Sequence, residues 1–182
     1  MRTKFTSFIL FLLLGVGTSM FLLSSCAKLK EATTFKIKYD LPDMNYTIDS
    51  LSLLKTEMAL YSQSYSINID SIAGASNGLV ERASFYKMRF SVVTPESAKL
   101  NWLNSARITV TPDGGSPVDI ATSGTINATE NFIDFQVNDY DMFSAMKKPF
   151  LITVYGNLNG TIPDLPMKML MESGLEITMS PF

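Results

Sequence analysis

The sequence predicts an all-β fold: one antiparallel β-sandwich domain with Greek-key crossovers and two short helical inserts. Apolar and polar residues alternate with a period of two along most of the chain, the signature of half-buried strands. Clusters of Gly, Pro, Asn and Asp separate these runs at turn positions. Uneven strand spacing and the helical interruptions suit crossovers between two sheets better than a regular up-and-down meander. A closed β-barrel is the alternative, because it would show the same alternation with one apolar face.

Each element follows from its own pattern. Phe35, Ile37 and Tyr39 alternate with Lys36 and Lys38, and Met44, Tyr46 and Ile48 with Asn45 and Thr47, giving two half-buried strands. Met58 and Leu60 share one parity, whereas Tyr65, Ile67 and Ile69 share the other, so a turn or bulge is expected near Gln63-Ser64. Tyr86, Met88, Phe90 and Val92, opposed to Lys87, Arg89 and Ser91, predict the most regular strand. Residues 107–111 and 118–121 flank Pro112-Asp113-Gly114-Gly115-Ser116-Pro117, a hairpin with a strong turn signal. Ile133, Phe135 and Val137 form a strand, and Phe150, Ile152 and Val154 another that ends at Gly156, with a turn at Asn159-Gly160. From Met167 to Met179 the odd positions are apolar except Ser173, while the even ones include Lys168, Glu172, Glu176 and Thr178; one long strand kinked at Gly174 is expected. Thr94-Pro95-Glu96 opens a helix over 95–103, with Thr94 as cap. Asn138 or Asp139 caps a second helix over 140–147, which Pro149 stops. Residues 73–77 are small and polar and predict a loop.

The first residues have a different character. Arg2 and Lys4 precede an apolar run over 8–23, interrupted by Gly15, Gly17, Thr18 and Ser19. That run is short for a bilayer span, which needs roughly 20 apolar residues. It ends in Leu23-Ser24-Ser25-Cys26, which contains the only cysteine. A basic start, a short apolar centre and small residues at the cut describe a secretory signal segment. The four residues resemble the lipobox of bacterial lipoproteins at every position. This resemblance implies cleavage before Cys26, a diacylglycerol on its sulfur and an acyl chain, such as palmitate, on its freed amine. Ala27, where an Asp would imply inner-membrane retention, implies the outer membrane of the cell envelope. Lys28-Leu29-Lys30-Glu31 replaces the acidic run of many surface-displayed lipoproteins, so the periplasmic and surface faces both stay open. The expected organisation is a signal peptide over 1–25, a tether over 26–33 and a single sandwich domain over 34–182, with a mature length that suits one core.

Composition narrows the chemistry. Without the signal segment the chain carries 13 basic and 17 acidic residues, and no basic patch is visible, so nucleic acid is not an expected partner. The chain has no histidine, which removes Ser-His-Asp and Cys-His catalysis and the usual zinc and copper ligand sets. With Cys26 lipidated, no disulfide can form.

The remaining candidates each have a simpler reading. Ser144-Ala145-Met146-Lys147 matches the Ser-x-x-Lys pattern of penicillin-recognising enzymes, but so do Ser25/Lys28, Ser52/Lys55 and Ser84/Lys87, and the companion motifs are missing. Asp139 and Asp141 could belong to a calcium site or a glycosidase pair, yet helix capping and helix-dipole placement explain both. Asp113-Gly114-Gly115 is a turn, because it lacks the later acidic ligands of a calcium loop. Met167, Met169 and Met171 could offer thioethers to Cu(I), but their spacing of roughly 6.6–7 Å along a strand favours core packing. Trp102, beside Asn101, is the candidate ligand-binding pair, with the indole stacking on a sugar; the competing reading puts the ring at one end of the core. Asp49-Ser50-Leu51 and Asp70-Ser71-Ile72 resemble the O-glycosylation sequence of exported Bacteroidota proteins.

Three stretches carry a second resemblance: Leu103-Asn104-Ser105-Ala106-Arg107-Ile108-Thr109-Val110, Asp141-Met142-Phe143-Ser144-Ala145-Met146 with Phe150-Leu151-Ile152-Thr153, and the terminal strand. They resemble small Bacteroidota-type lipoproteins with an immunoglobulin-like sandwich and no assigned activity. The resemblance implies that fold, against a lipocalin-like β-barrel as the alternative. The resulting expectation is a non-enzymatic, outer-membrane-anchored lipoprotein that acts as an interaction or structural component of an envelope assembly. Its expected partners are the membrane, through the lipid on Cys26, and an envelope protein; no catalytic residue, metal or further cofactor is expected. The alternative is a carbohydrate- or small-ligand-binding lipoprotein that holds a glycan at Trp102 and Asn101.

Overall fold

The computed structural model describes residues 34–49, 57–72, 80–161 and 163–180. The signal segment, Cys26, the tether, Ser50-Leu51 and the loop expected at 73–77 lie outside the described residues. In chain order the elements are β1 (Phe35–Asp40), β2 (Met44–Ile48), β3 (Glu57–Tyr65), the short helix α1 (Ile69–Ile72), β4 (Val80–Thr94), β5 (Leu103–Pro112) and β6 (Val118–Thr122). They continue with β7 (Phe132–Asp134), β8 (Gln136–Val137), β9 (Phe150–Leu158) and β10 (Met167–Met179).

The strands make two five-stranded antiparallel sheets, ordered β1-β10-β4-β7 with β2 also on β10, and β3-β9-β5-β6-β8. The chain crosses between them after β2, β3, β4, β6, β7 and β9. Each sheet keeps two edge strands of its own, so the molecule is a β-sandwich and the lipocalin-like barrel is set aside. β1 and β2 are two halves of one interrupted edge strand. β1 pairs from Phe35↔Met179 to Asp40↔Gly174, and β2 pairs with Met167–Met171 at the other end of β10.

β10 is the central staple of the first sheet. As its alternation predicts, it is one strand through Gly174, and every odd position from Met167 to Met179 is buried. Met167, Met169 and Met171 have no exposed surface and lie in one core with Phe90, Phe150, Ile152 and Trp102, which is the packing reading of the methionine stripe. Met169→Leu keeps the volume nearly constant, so it should cost less than ~1.5 kcal/mol in urea denaturation. A larger loss would show that the thioether does more than fill space.

Bulges explain where the observed register departs from a uniform period of two. The β4 span from Val80 to Thr94 pairs with the shorter span Lys168–Met179, and the three excess residues are Glu81, Tyr86 and Val93. The bulge at Tyr86 turns its ring out of the core face that Met88, Phe90 and Val92 occupy. That ring lies across Gly174, where a Cβ would come within 2.5 Å of Tyr86 Cε1, and its hydroxyl donates to Asp40 Oδ1 at 2.7 Å. In β3 the parity change comes at Leu60, between Ala59 and Tyr61, earlier than the expected Gln63-Ser64. The expected hairpin is β5–β6, with Gly114 at φ 70° and Gly115 N–H donating to Pro112 O at 2.9 Å.

Neither expected helix forms as such. Over 95–103 two separate turns close, from Ala98 N–H to Pro95 O and from Leu103 N–H to Leu100 O, and between them the Leu100 amide donates to Glu130 O at 3.0 Å. Burial of Leu100 and Trp102 pulls this segment onto the sandwich and overrides the capping signal. Over 140–147 the helix is reduced to one bond from Met146 N–H to Met142 O at 2.9 Å and the 3₁₀ turn Ala145–Lys147. Met142 N–H donates to Ala83 O at 2.6 Å, tying the preceding residues to β4 as a strand would be. The expected caps are used elsewhere: the Asn138 side-chain amide donates to Asp119 O at 3.1 Å, and Asp139 pairs with Arg82. The predicted strand through Ile133, Phe135 and Val137 also divides. It pairs with β4 as β7 and with β6 as β8, and the buried Phe135 sits at the switch between sheets.

Candidate functional site

The two lateral edges of the sandwich are built differently. On one side the chain itself passes from sheet to sheet at Phe135. On the other side β2 and β3 face each other through side chains. The Tyr46 ring of β2 lies 4.3 Å from the Tyr61 ring of β3 and 5.6 Å from the Phe90 ring of β4. These three rings join the sheets, with Tyr46 tilted by 34° against Tyr61 and stacked at 19° on Phe90. Further along β3, Tyr61 donates to Gln63 Oε1 at 2.5 Å and shares a hydrogen bond with the Tyr65 hydroxyl. Tyr65 packs on Phe150, with 6.3 Å between ring centroids.

A cleft of about 390 Å³ opens at the end of this edge, between the β1–β2 corner and the end of β3. Asp43 and Asn45 stand on one wall, Gln63 and Tyr65 on the other, with apolar surface from Leu41 and Ile67. A few convergent polar groups on an apolar wall are the ordinary make-up of a small-molecule site. Here they comprise one carboxylate, two amides, one phenol and the Ser66 hydroxyl, a set that exchanges hydrogen bonds with a neutral, hydroxyl-bearing ligand.

Burial decides the protonation of the tyrosines. Desolvation pushes the Tyr46 phenol well above its ordinary value, and the neighbouring Tyr61 and Tyr65 push it further. The Tyr65 phenol is raised by burial and by its hydrogen bond with Tyr61. Both therefore remain neutral at physiological pH, and the Tyr65 phenol takes part in the hydrogen bond with Tyr61. The Tyr46 hydroxyl is buried and has no hydrogen-bond partner among the described residues.

The strongest ionic cluster lies outside the cleft, on the outer face of the second sheet. Arg107 donates to Glu57 Oε1 at 2.8 Å and to Asp119 Oδ1 at 2.7 Å, with its guanidinium 4.3 Å from the Tyr155 ring centroid. The hydrogen bond from Arg107 holds the Glu57 carboxyl below its usual range. The cluster ties β3, β5, β6 and β9 together through saturated pairs, which makes it structural.

The candidate pair from the sequence is separated by the fold. Trp102 is 0% exposed and presents no face on which a sugar could stack. Its ring belongs to the core, with Nε1 lacking a partner among the described residues, so sugar stacking at Trp102 is corrected to core closure. Asn101 is exposed, its carbonyl accepts from Asn159 Nδ2, and it borders a smaller polar cleft of about 190 Å³ with Lys99 and Asp164. The two residues are the central pair of a turn closed by Leu103 N–H donating to Leu100 O at 3.0 Å, with Trp102 buried and Asn101 left exposed.

The other candidates resolve as structure. Asp139 pairs with Arg82, and Asp141 Oδ1 accepts from the amides of Ala83 at 3.2 Å and Phe143 at 2.9 Å. Ser144 is exposed, and Lys147 Nζ sits 4.4 Å above the Phe143 ring rather than beside Ser144. Asp113 meets Lys148 at 3.4 Å. Among the described residues no group of three or more His, Cys, Asp or Glu side chains could hold a metal. The cleft at Asp43, Asn45, Gln63 and Tyr65 was not read from the sequence; its only trace there was the parity change along β3.

No protein-family model matches the chain, and no curated protein matches it. Solved structures give distant likenesses. The infectious bursal disease virus VP2 subviral particle is 11% identical over 80% of this chain and 33% of its own, with a TM-score of 0.36. The chain thus spans about a third of that viral protein. Desmodium yellow mottle tymovirus is 16% identical, covering 82% and 90% of the two chains at a TM-score of 0.29, and turnip yellow mosaic virus is 12% identical, covering 81% and 95% at 0.22. Likenesses this low carry no argument about function.

Proposed function

We propose that the protein is a non-enzymatic lipoprotein, anchored to the outer membrane through a lipid on Cys26, that serves as an interaction or structural component of an envelope assembly. The observation that carries this reading is Leu23-Ser24-Ser25-Cys26, placed only a short tether ahead of β1. Fully extended, the tether over 26–33 reaches about 26 Å, at roughly 3.3 Å per residue. The domain therefore works close to its membrane. Two or three acyl chains hold a protein there far longer than one, since each buried CH₂ contributes about 0.8 kcal/mol.

Cys26→Ser should abolish acyl labelling in cells and leave a precursor heavier by the signal segment. Labelling that persists in this variant would remove the anchor from the reading. In-cell crosslinking of the lipidated chain, followed by identification of the captured envelope protein, tests the interaction role directly.

The cleft at the β2/β3 edge favours a second reading, a carbohydrate- or small-ligand-binding lipoprotein. Its recognition would rest on Gln63, Tyr65, Asn45 and Asp43 instead of Trp102. On a glycan array, Gln63→Ala and Tyr65→Phe should each weaken binding about 3- to 10-fold, the equivalent of one hydrogen bond. Binding that survives both changes would exclude the cleft as the site.

A further inference from the structure

We propose that the free edge of β1 is a strand-addition site for an extended segment of another protein in which apolar residues alternate with Asp or Glu. The proposal rests on the interaction reading above and names the surface and partner chemistry it would use.

β1 pairs on one side with β10, and no described residue pairs with its other side. Leu41 N–H donates to Ser173 O at 2.9 Å, in register with the β1–β10 ladder. Peptide groups of an antiparallel strand alternate in direction, so those of Phe35, Ile37 and Tyr39 also face β10. The N–H and C=O groups of Lys36 and Lys38 then face outward, where an added strand would exchange hydrogen bonds with them.

Side chains define what that strand must carry. Phe35, Ile37 and Tyr39 stand opposite Met179, Ile177 and Leu175, on the core face of the sheet. Yet Phe35 is 46% and Tyr39 39% exposed, so half of the large exposed hydrophobics among the described residues lie on this one strand. An incoming strand with apolar residues at the matching positions would cover them. On the opposite face its residues would lie beside Lys36 and Lys38. Lys36 pairs with Glu176 at 2.5 Å but its side chain stays 62% exposed. Lys38 rests 4.6 Å from the Tyr86 ring centroid and has no ion pair among the described residues. Acidic residues complement both positions.

The same lysines disfavour a second copy as occupant. Antiparallel self-pairing centred on Lys36, Ile37 or Lys38 sets lysine directly opposite lysine, which is destabilising. Centring on Tyr39 sets Lys38 against Asp40 but runs Lys36 into Pro42, which has no N–H to give.

The test uses the purified full chain in detergent and two fluorescein-labelled peptides, Val-Glu-Val-Glu-Val and Val-Lys-Val-Lys-Val. The Glu peptide should bind saturably with a preference of about tenfold, since two opposite-charge pairs replace two like-charge pairs. Lys36→Glu with Lys38→Glu should reverse the preference, and N-methylation of the two Glu amides should abolish binding. Lys38→Pro should also abolish it while leaving the melting temperature nearly unchanged, because the lost N–H faces away from β10. Ile37→Pro should lower the melting temperature sharply, since that N–H belongs to the ladder. Absent binding, equal binding of both peptides, binding indifferent to N-methylation, or a dimer that Lys38→Pro dissociates would each overturn the proposal. Crosslinks to an envelope protein that persist in the Lys38→Pro variant would overturn β1 as the site while leaving the interaction reading intact.

Discussion

Trp102→Ala should destabilise the domain by about 3–5 kcal/mol, the range for removing a fully buried large aromatic side chain. Total stability for a domain of this size is about 5–15 kcal/mol, so the variant should show a much earlier urea midpoint or fail to fold. The cost comes from lost packing and from the cavity left among core neighbours. Trp102→Phe retains most of the apolar volume and removes an Nε1 that has no partner among the described residues, so it should cost much less. A Trp102→Ala variant with unchanged stability would contradict the position of the ring in the core. Loss of any glycan binding in Trp102→Ala would then report unfolding, whereas Tyr65→Phe tests the cleft without opening a cavity.

Alkaline pH should destabilise the fold through Tyr46. Its phenol is raised above the ordinary value of 10.0 chiefly by burial, so the folded state keeps the proton after the unfolded chain has released it. For such a group the stabilisation is complete below the unfolded pKa and is lost as pH rises from there toward the folded pKa. The loss should begin near the unfolded value of 10.0 and grow with pH for as long as the folded phenol keeps its proton, with a slope that cannot exceed about 1.4 kcal/mol per pH unit for one group. Tyr65, shifted in the same direction, adds to it. Phenolate absorbance followed with urea midpoints between pH 8 and 12 measures this. Tyr46→Phe should flatten the decline, and at pH 7 it should be neutral or stabilising, because the hydroxyl it removes is buried without a partner among the described residues. A pH profile unchanged by Tyr46→Phe would assign the alkaline loss to other groups.

Legibility in the sequence followed the range of the interaction. β10 was readable in full because one face is buried along its whole length, and burial writes itself into alternate residues. The β5–β6 hairpin was readable because its turn chemistry is local. Tyr86 was misplaced on the core face because a bulge depends on the length of the strand opposite, not on the residues around the bulged position. The helix expected over 95–103 carried sound local signals but lost to long-range bonding, with the Leu100 amide taken by Glu130 and Trp102 drawn into the core. The cleft was invisible for the same reason. Asp43 and Asn45 meet Gln63 and Tyr65 only because two different sheets end side by side.

By itself the sequence determined the fold class, most strand positions and the inward face of nearly every strand, because a period of two is the direct imprint of one buried face. It also supplied the motif at Leu23-Ser24-Ser25-Cys26 on which the proposed anchoring rests. Only the tertiary structure decided which strands are neighbours, where Phe135 carries the chain between sheets, and that β1 is an edge with Phe35 and Tyr39 exposed. It also decided that Trp102 is interior and that the three rings of Tyr46, Tyr61 and Phe90 join the sheets. These outcomes depend on pairings between residues far apart in the chain. Such pairings are selected by the collective packing of one core, which no short window of sequence contains.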